Sequence, residues 1–237
     1  MGRPRRTQLG GLVYHVLNRA NGRAQIFSEA GDYAAFLRAL RDAQVEHPMR
    51  LLFYCVMPTH WHLVLWPERD RSLSPFVGWL TLTHTQRQHA YRHSTGSGHL
   101  YQGRFKSFAV ESDEHLLTVG RYVERNALRV DLVGRAEDWH WGSLWQRLHD
   151  DVEDRPKLTA GPVPLPAHWT EWVNAPQTTA EEAAMRRSGR RGQPFGTAAW
   201  VEKTVKSFGL QSTHRRPGRS PRASHPGQLL LFEGNGS

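Results

Sequence analysis

Two histidines, His60 and His62, are separated by a single residue and are candidates for metal binding. They open the run His-Trp-His-Leu-Val-Leu-Trp, which follows Pro58-Thr59 and predicts a strand over residues 60–66. Because side chains alternate along a strand, both imidazoles point to one face and Trp61 points to the other. Two imidazoles on one face can hold a divalent metal ion, and two unpartnered imidazoles suit an apolar core poorly. The pair predicts a metal site, although spaced histidines also occur in strands that bind no metal.

Tyr122 and Asn126 form the second set, on a helix predicted from about Glu114 to Ala127. They are four residues apart and therefore lie on the same side of that helix, one turn from each other. A tyrosine hydroxyl can attack phosphorus and store a strand break as a phosphotyrosine link. The ordinary pKa of tyrosine is about 10, so a metal that polarises the phosphate would assist the attack. Asn126 offers an amide oxygen to a hard cation; the alternative is that Tyr122 is a core aromatic.

The strands and helices predicted along the chain of 237 residues follow the order of a known fold. The predicted strands cover residues 12–17, 50–57, 60–66 and 104–111, and the predicted helices cover residues 29–46, 74–92 and 114–127. The first six elements have the ferredoxin-like order β-α-β-β-α-β. This order predicts an α+β fold, with a four-stranded antiparallel sheet and helices on one face, followed by a basic C-terminal extension. Residues 1–150 are the predicted catalytic domain.

The composition changes after residue 150. Five prolines between residues 155 and 176 predict an extended, Pro-rich linker over residues 151–178. Residues 179–210 contain two segments with helical spacing and many basic side chains, which predict a basic helical extension. Residues 211–237 are rich in Arg, Pro, Gly and Ser, so we expect a disordered tail there.

The charge balance favours a polyanionic partner. Lys and Arg number 31 against 22 for Asp and Glu, which gives a formal net charge of +9. Arginine suits phosphate because its planar fork donates two parallel hydrogen bonds, although a basic protein without a nucleic-acid partner has a similar composition. The single cysteine, Cys55, excludes an internal disulfide and fits a reducing cytosol. Because no apolar run is long enough to span a bilayer, we expect a cytoplasmic protein without a membrane partner.

Three motifs taken together resemble those of a known family. Met-Pro-Thr-His-Trp-His-Leu-Val-Leu at residues 57–65 resembles the His-hydrophobic-His motif of the HUH endonucleases. Tyr-Gln-Gly-Arg-Phe-Lys-Ser at 101–107 and Arg-Tyr-Val-Glu-Arg-Asn at 121–126 resemble the matching blocks of single-tyrosine transposases related to insertion sequence 200. The REP-associated tyrosine transposases are the most similar subgroup. The similarity extends over residues 8–148 and continues more faintly over 190–209.

The resemblance implies a role for each of these residues. It implies that His60 and His62 bind Mg²⁺ or Mn²⁺, that Tyr122 is the nucleophile, and that Asn126 matches the polar residue one turn later. Since imidazoles suit manganese better than magnesium, we expect Mn²⁺ to support activity at least as well. The chain has Asn126-Ala127-Leu128 where the subgroup generally has Asn-Pro-Val. The sequence therefore does not determine where this helix ends, or whether Asn126 can contact a metal bound to the histidines.

The implied partners are single-stranded DNA hairpins of the REP type, cleaved at a position beside the hairpin. The protein would then be nucleoid-associated and either a monomer or a homodimer. Candidate phosphate-binding residues are Arg5, Arg6, Arg104, Lys106, Arg190 and Arg191. One alternative is a catalytically silent regulator that binds hairpins on the same fold. Another is a metal-dependent hydrolase of small phosphate esters, which would use water and keep its activity in a Tyr122→Phe variant.

Overall fold

Four antiparallel strands form the sheet that holds the histidine pair. The computed structural model describes residues 8–93, 96, 98–149 and 153–214. The strands are β1 Val13–Arg19, β2 Arg50–Met57, β3 His60–Trp66 and β4 Lys106–Val110. They lie in the order β2-β3-β1-β4, and each neighbouring pair is antiparallel. This is the ferredoxin-like arrangement predicted from the sequence, with β1 and β3 in the centre.

The two helices of the ferredoxin-like motif pack on one face of this sheet, as predicted. They are α1 Ala30–Glu46 and α2 Leu73–Tyr91. Glu29 caps α1 through a reciprocal pair of hydrogen bonds with Asp32, and the helix ends before Pro48, where the α conformation is disfavoured. Trp61 is fully buried in the core beneath these helices. Its burial on this face leaves its neighbours His60 and His62 on the opposite face.

The opposite face is covered by α3 Glu114–Glu124, with the later helices Ser143–Leu148 and Thr179–Arg191 against its two edge strands. The Asp113 side chain caps α3 by accepting a hydrogen bond from the backbone N–H of His115. Gly120 lets α3 approach the sheet closely, because a Cβ there would lie 2.6 Å from Cζ of Phe53 on β2. Close packing at this glycine therefore sets the height of α3, and of Tyr122 within it, above the sheet.

The end of α3 differs from the prediction. The helix ends at Glu124, three residues before Ala127, and Arg125 is its C-terminal cap. The backbone N–H of Asn126 then donates to the carbonyl of Val123, so the chain tightens into a three-residue turn. A 3-10 turn at Leu128–Val130 follows. Asn126 therefore lies just beyond the helix that holds Tyr122.

The Pro-rich segment 151–178 is not an extended linker over its described residues. It contains α5 Trp169–Asn174, and the side chains of Trp169 and Val173 are buried against α3. Arg121 donates hydrogen bonds to the carbonyls of Ala175 and Pro176, just after the end of α5. The burial of this apolar surface and these charge-assisted contacts outweigh the extended preference of the prolines.

A buried carboxylate joins α3 to the helices that cover it. Glu124 accepts hydrogen bonds from Ser143 Oγ at 2.5 Å and from Trp169 Nε1 at 2.6 Å, and Arg147 Nε lies 3.3 Å away. Ser143 and Arg147 belong to α4 Ser143–Leu148. These contacts fix the end of α3, where Tyr122 is located, relative to α4 and α5.

The C-terminal extension continues as helices. They are α6 Thr179–Arg191, α7 Ala198–Phe208 and the short α8 Gln211–His214. The first two occupy the predicted basic extension, and α6 packs against β4 and α3. The predicted tail lies outside the described residues from 215 onward. None of the helices in the described ranges is both long enough and apolar enough to cross a membrane.

Candidate active site

The histidine pair lies on the sheet face that α3 covers. The ring centroids of His60 and His62 are 5.0 Å apart. Nδ1 of His60 lies 3.0 Å from Oγ1 of Thr59, which orients that ring. Burial lowers the pKa of His60 to about 4 and the pKa of His62 well below its ordinary value. Both imidazoles are therefore neutral at physiological pH, which is the form that binds metals.

A third histidine, which the sequence analysis missed, contacts this pair. Nε2 of His15 on β1 lies 2.9 Å from Nδ1 of His62. His15 is 1% exposed, and burial lowers its pKa to about 3. Its position within the strand Val13–Arg19 gave no signal, because the pairing of β1 with β3 that brings the rings together is not visible in the sequence.

Tyr122 lies over the same face of the sheet as His60 and His62. Its ring meets that of His62 edge-on, with centroids 6.0 Å apart, and it contacts His15 in the same way at 6.4 Å. The guanidinium carbon of Arg129 is 4.9 Å from the centroid of the tyrosine ring. The Tyr122 side chain is 8% exposed, at the floor of a cleft.

Asn126 lies beside Tyr122 and is fully buried. Its Oδ1 accepts a hydrogen bond of 2.8 Å from Nη2 of Arg129, whereas its Nδ2 finds no partner among the described residues. An amide oxygen has two lone pairs, so Oδ1 can accept from Arg129 and still offer one pair to a cation. Two neutral imidazoles and one amide oxygen are a donor set that fits a divalent ion of the manganese type.

These residues line one cleft of about 690 Å³. Its described lining includes six basic side chains and no Asp or Glu. The basic residues are Arg19, Arg104, Lys106, Arg129, Arg186 and Arg190. A concave surface with cations of one sign and no acids focuses a positive potential, which attracts polyanions.

The predicted phosphate-binding residues divide into three groups. Arg104, Lys106 and Arg190 line the cleft. Arg191, the last residue of α6, is exposed and lies outside the cleft lining. Arg5 and Arg6 lie outside the described residues. Arg129 was not predicted, because it follows the expected helix and no pattern of spacing linked it to Tyr122.

Comparison with known proteins identifies the family. A model of IS200-like transposases matches residues 8–126, which is half of the chain and includes every residue of the predicted metal and tyrosine set. The chain belongs to the IS200-like transposase family. It is accordingly a DNA transposase. Among proteins of curated function, none shows significant similarity to it.

Two solved structures are similar to this transposase. One is a REP-associated tyrosine transposase bound to a REP hairpin, with 18% identity and a TM-score of 0.51, covering 68% of this chain and 100% of that one. At this identity the similarity concerns the fold alone. The other is a transposase-like protein from Deinococcus radiodurans, with 23% identity over 52% of this chain and 95% of that one. Its TM-score of 0.36 is too low to bear on the fold.

A second group of metal-ligand types lies at the start of α3, about two helical turns before Tyr122. The ligand atoms of Glu111, Asp113 and His115 lie within 4.8 Å of one another. Each carboxylate already has a structural contact: Glu111 accepts from the backbone N–H of Thr197, and Asp113 accepts from His115. This group joins the starts of α3 and α7, and it does not line the cleft that contains Tyr122.

Proposed function

We propose that this transposase cleaves single-stranded DNA beside a hairpin, by attack of Tyr122 on a backbone phosphate. The main support is the position of Tyr122, which shares one basic cleft with His60 and His62. The cleft has the charge that a phosphate backbone requires, and the tyrosine and the histidines approach it from opposite sides, on α3 and on the sheet. All of these side chains come from one chain, so a monomer suffices for the chemistry.

The reaction would exchange one phosphate ester for another. The Tyr122 hydroxyl oxygen forms a bond to phosphorus, and the bond between phosphorus and the leaving sugar oxygen breaks. The phenol loses its proton and the leaving oxygen gains one, so the break is stored as a phosphotyrosine link without a net change in charge. Attack of the freed hydroxyl of another strand on this link would join that strand and restore the tyrosine.

We assign the metal to His60, His62 and Asn126. Mg²⁺ or Mn²⁺ bound there would polarise the scissile phosphate and reduce the demand for a free tyrosinate. The burial of the two imidazoles keeps them neutral, as a metal ligand must be. The contact of Thr59 with His60 and that of His15 with His62 hold one nitrogen of each ring, so the other nitrogen of each ring is available to a ligand.

We propose that the exposed basic side chains of the cleft bind the phosphates of the DNA backbone. Lys106 begins β4, Arg104 lies two residues before that strand, and Arg190 on α6 lines the same cleft. A single strand between these two walls would have its phosphates near cations on both sides. The similar solved structure has a REP hairpin bound, and a REP-type hairpin is the partner that we propose here. Affinity should then fall steeply as salt increases.

The test is a covalent-capture experiment. The transposase is incubated with Mn²⁺ and end-labelled single-stranded hairpins from the flanking genome, and a denaturing protein gel is run. We expect a labelled protein band that is lost in Tyr122→Phe and in EDTA. Tyr91→Phe is the matched control, because Tyr91 is 72% exposed on α2 and away from the cleft. It should keep the wild-type yield.

Each alternative has its own signature in the same experiment. Tight hairpin binding without cleavage or a covalent band, across all hairpins tried, would indicate the catalytically silent regulator. Release of a cleaved product by Tyr122→Phe at the wild-type rate would indicate water as the nucleophile and therefore a hydrolase.

A further inference from the structure

Arg129 lies between the proposed nucleophile and the proposed third metal ligand. It belongs to the 3-10 turn Leu128–Val130, just after α3. Its Nη2 donates to Oδ1 of Asn126 at 2.8 Å, and its guanidinium carbon lies 4.9 Å from the ring centroid of Tyr122. It therefore lies in the cleft lining, in contact with both Asn126 and Tyr122.

The charge of Arg129 has no acidic partner in the described part of the chain. Within those residues, none of the ion pairs within 4.0 Å includes it. Its Nε is buried and makes no hydrogen bond there. A partly buried cation with an unsatisfied donor is costly unless an anion completes it. The cleft around it contains no acid in its described lining, so the anion would have to be a ligand.

Arg129 differs from the other cations of the cleft. Arg19, Arg104, Lys106 and Arg190 are exposed to water, and Arg186 is paired with Glu182 at 2.6 Å. A purely structural role for Arg129, in which it caps the turn after α3, accounts for one of its five N–H donors. The remaining donors next to Tyr122 have no structural use among the described contacts.

We propose that Arg129 is a further catalytic residue, which binds the non-bridging oxygens of the scissile phosphate and stabilises the charge that they gain during attack. This inference rests on the proposed function of Tyr122. As the tyrosine oxygen bonds to phosphorus and the sugar oxygen leaves, negative charge builds on the non-bridging oxygens. The planar guanidinium fork can donate two hydrogen bonds to them and stays protonated throughout, so it adds no proton-transfer step.

The decisive experiment combines a change in the protein with a change in the substrate. Rates of covalent adduct formation are measured in a single turnover for wild type, Arg129→Gln and Arg129→Lys. The substrate is the same hairpin with either a phosphate or an uncharged methylphosphonate at the cleaved position. On phosphate, we expect Arg129→Gln to be about 10²- to 10³-fold slower, which is typical of losing one oxyanion donor. Hairpin affinity should stay within about threefold of wild type, because only one of many phosphate contacts is lost.

The substrate change separates a catalytic role from a structural one. On methylphosphonate the loss should shrink to a few-fold, because the charge that Arg129 recognises is absent. Arg129→Lys keeps the charge without the planar fork, and its rate on phosphate should fall between those of wild type and Arg129→Gln. Arg69→Gln is the matched control, because Arg69 is exposed and lies outside the cleft lining, and it should form the adduct at the wild-type rate.

Two outcomes would overturn the inference while leaving the tyrosine mechanism intact. In the first, Arg129→Gln forms the adduct at a rate within about threefold of wild type, while Tyr122→Phe forms no adduct. The other is an equal loss on phosphate and methylphosphonate, which would show that the arginine acts only by holding Asn126 and the turn. If wild type formed no adduct on phosphate, the proposed function itself would fail, and the inference with it.

Discussion

Nε2 of His15 and Nδ1 of His62 lie 2.9 Å apart in the buried centre of the sheet. Because this contact occupies Nδ1 of His62, only its Nε2 is left for a metal. A metal at Nε2 requires the proton of that ring to be on Nδ1, from where it is donated to His15. His15 must then hold its own proton on Nδ1, which is buried and makes no hydrogen bond within the described structure. In the proposed metal site, His15 would thus be the positioning residue for His62.

We expect the His15 contact to show in metal affinity. His15→Phe fills the same apolar space but removes the acceptor, so Mn²⁺ affinity should fall about 10- to 100-fold, as for other partners of metal-bound histidines. His15→Gln places an amide oxygen near the former Nε2, and should retain an affinity within a few-fold of wild type. The measurement is titration of free Mn²⁺ by electron paramagnetic resonance, without DNA. Equal affinity in His15→Phe and wild type would contradict the positioning role.

Metal and DNA should each strengthen the binding of the other. The proposed ligands are neutral and share the cleft with arginines, and the described lining of the cleft offers a cation no negative charge. A bound phosphate supplies that charge. We therefore expect Mn²⁺ affinity to rise at least about tenfold when the hairpin is present, and hairpin affinity to rise by the same factor with Mn²⁺, because linkage is reciprocal. Asn126→Ala should reduce this mutual effect of Mn²⁺ and hairpin. An Mn²⁺ affinity that does not change when the hairpin is added would contradict the prediction.

The sequence predicted those parts of the site that depend on local periodicity. Strand alternation placed His60 and His62 on one face of the sheet, and helical spacing placed Tyr122 and Asn126 on one side of the predicted helix. His15 and Arg129 could not be found in this way. His15 reaches the pair through the order of strands in the sheet, and Arg129 reaches it through a turn after α3 that begins earlier than predicted.

The same limit applies to the fold. The order of strands and helices predicted the ferredoxin-like sheet, because that order is typical of one topology. The Pro-rich segment was misjudged because composition describes the preference of an isolated chain. Here Trp169 and Val173 find buried positions against α3, which the sequence of the segment alone does not reveal.

Gly120 should determine how closely α3, and with it Tyr122, packs against the sheet. A Cβ at this position would meet the Phe53 ring at 2.6 Å, so Gly120→Ala must displace either α3 or the ring. We expect it to lower the free energy of unfolding by about 1–3 kcal/mol, which is typical of overpacking, and to slow adduct formation. Gly78→Ala is the matched control within α2, where a Cβ meets nothing within 4 Å. It should be neutral or stabilising by up to about 1 kcal/mol in urea denaturation.

Buried neutral histidines should make the fold sensitive to acid. Outside the cleft, burial lowers the pKa of His84 to about 3, and its Nδ1 lies 2.8 Å from the hydroxyl oxygen of Tyr101. The pKa of histidine in the unfolded chain is about 6.5. Below that pH, His84 is protonated in the unfolded chain but stays neutral in the folded protein. The free energy of unfolding should therefore fall as the pH drops from about 6.5 towards 3, by up to about 1.4 kcal/mol per pH unit for each such histidine.

His84→Asn isolates one of these protons. The amide group can replace Nδ1 as the hydrogen-bond partner of Tyr101, and the variant has no group to protonate at this position. Urea denaturation between about pH 6 and pH 4 should show a slope of unfolding free energy against pH that is smaller by about one proton than in wild type. His168→Asn, at an exposed position before α5, is the matched control and should keep the wild-type slope. An unchanged slope in His84→Asn would mean that His84 accepts its proton without unfolding, and that the acid sensitivity arises elsewhere.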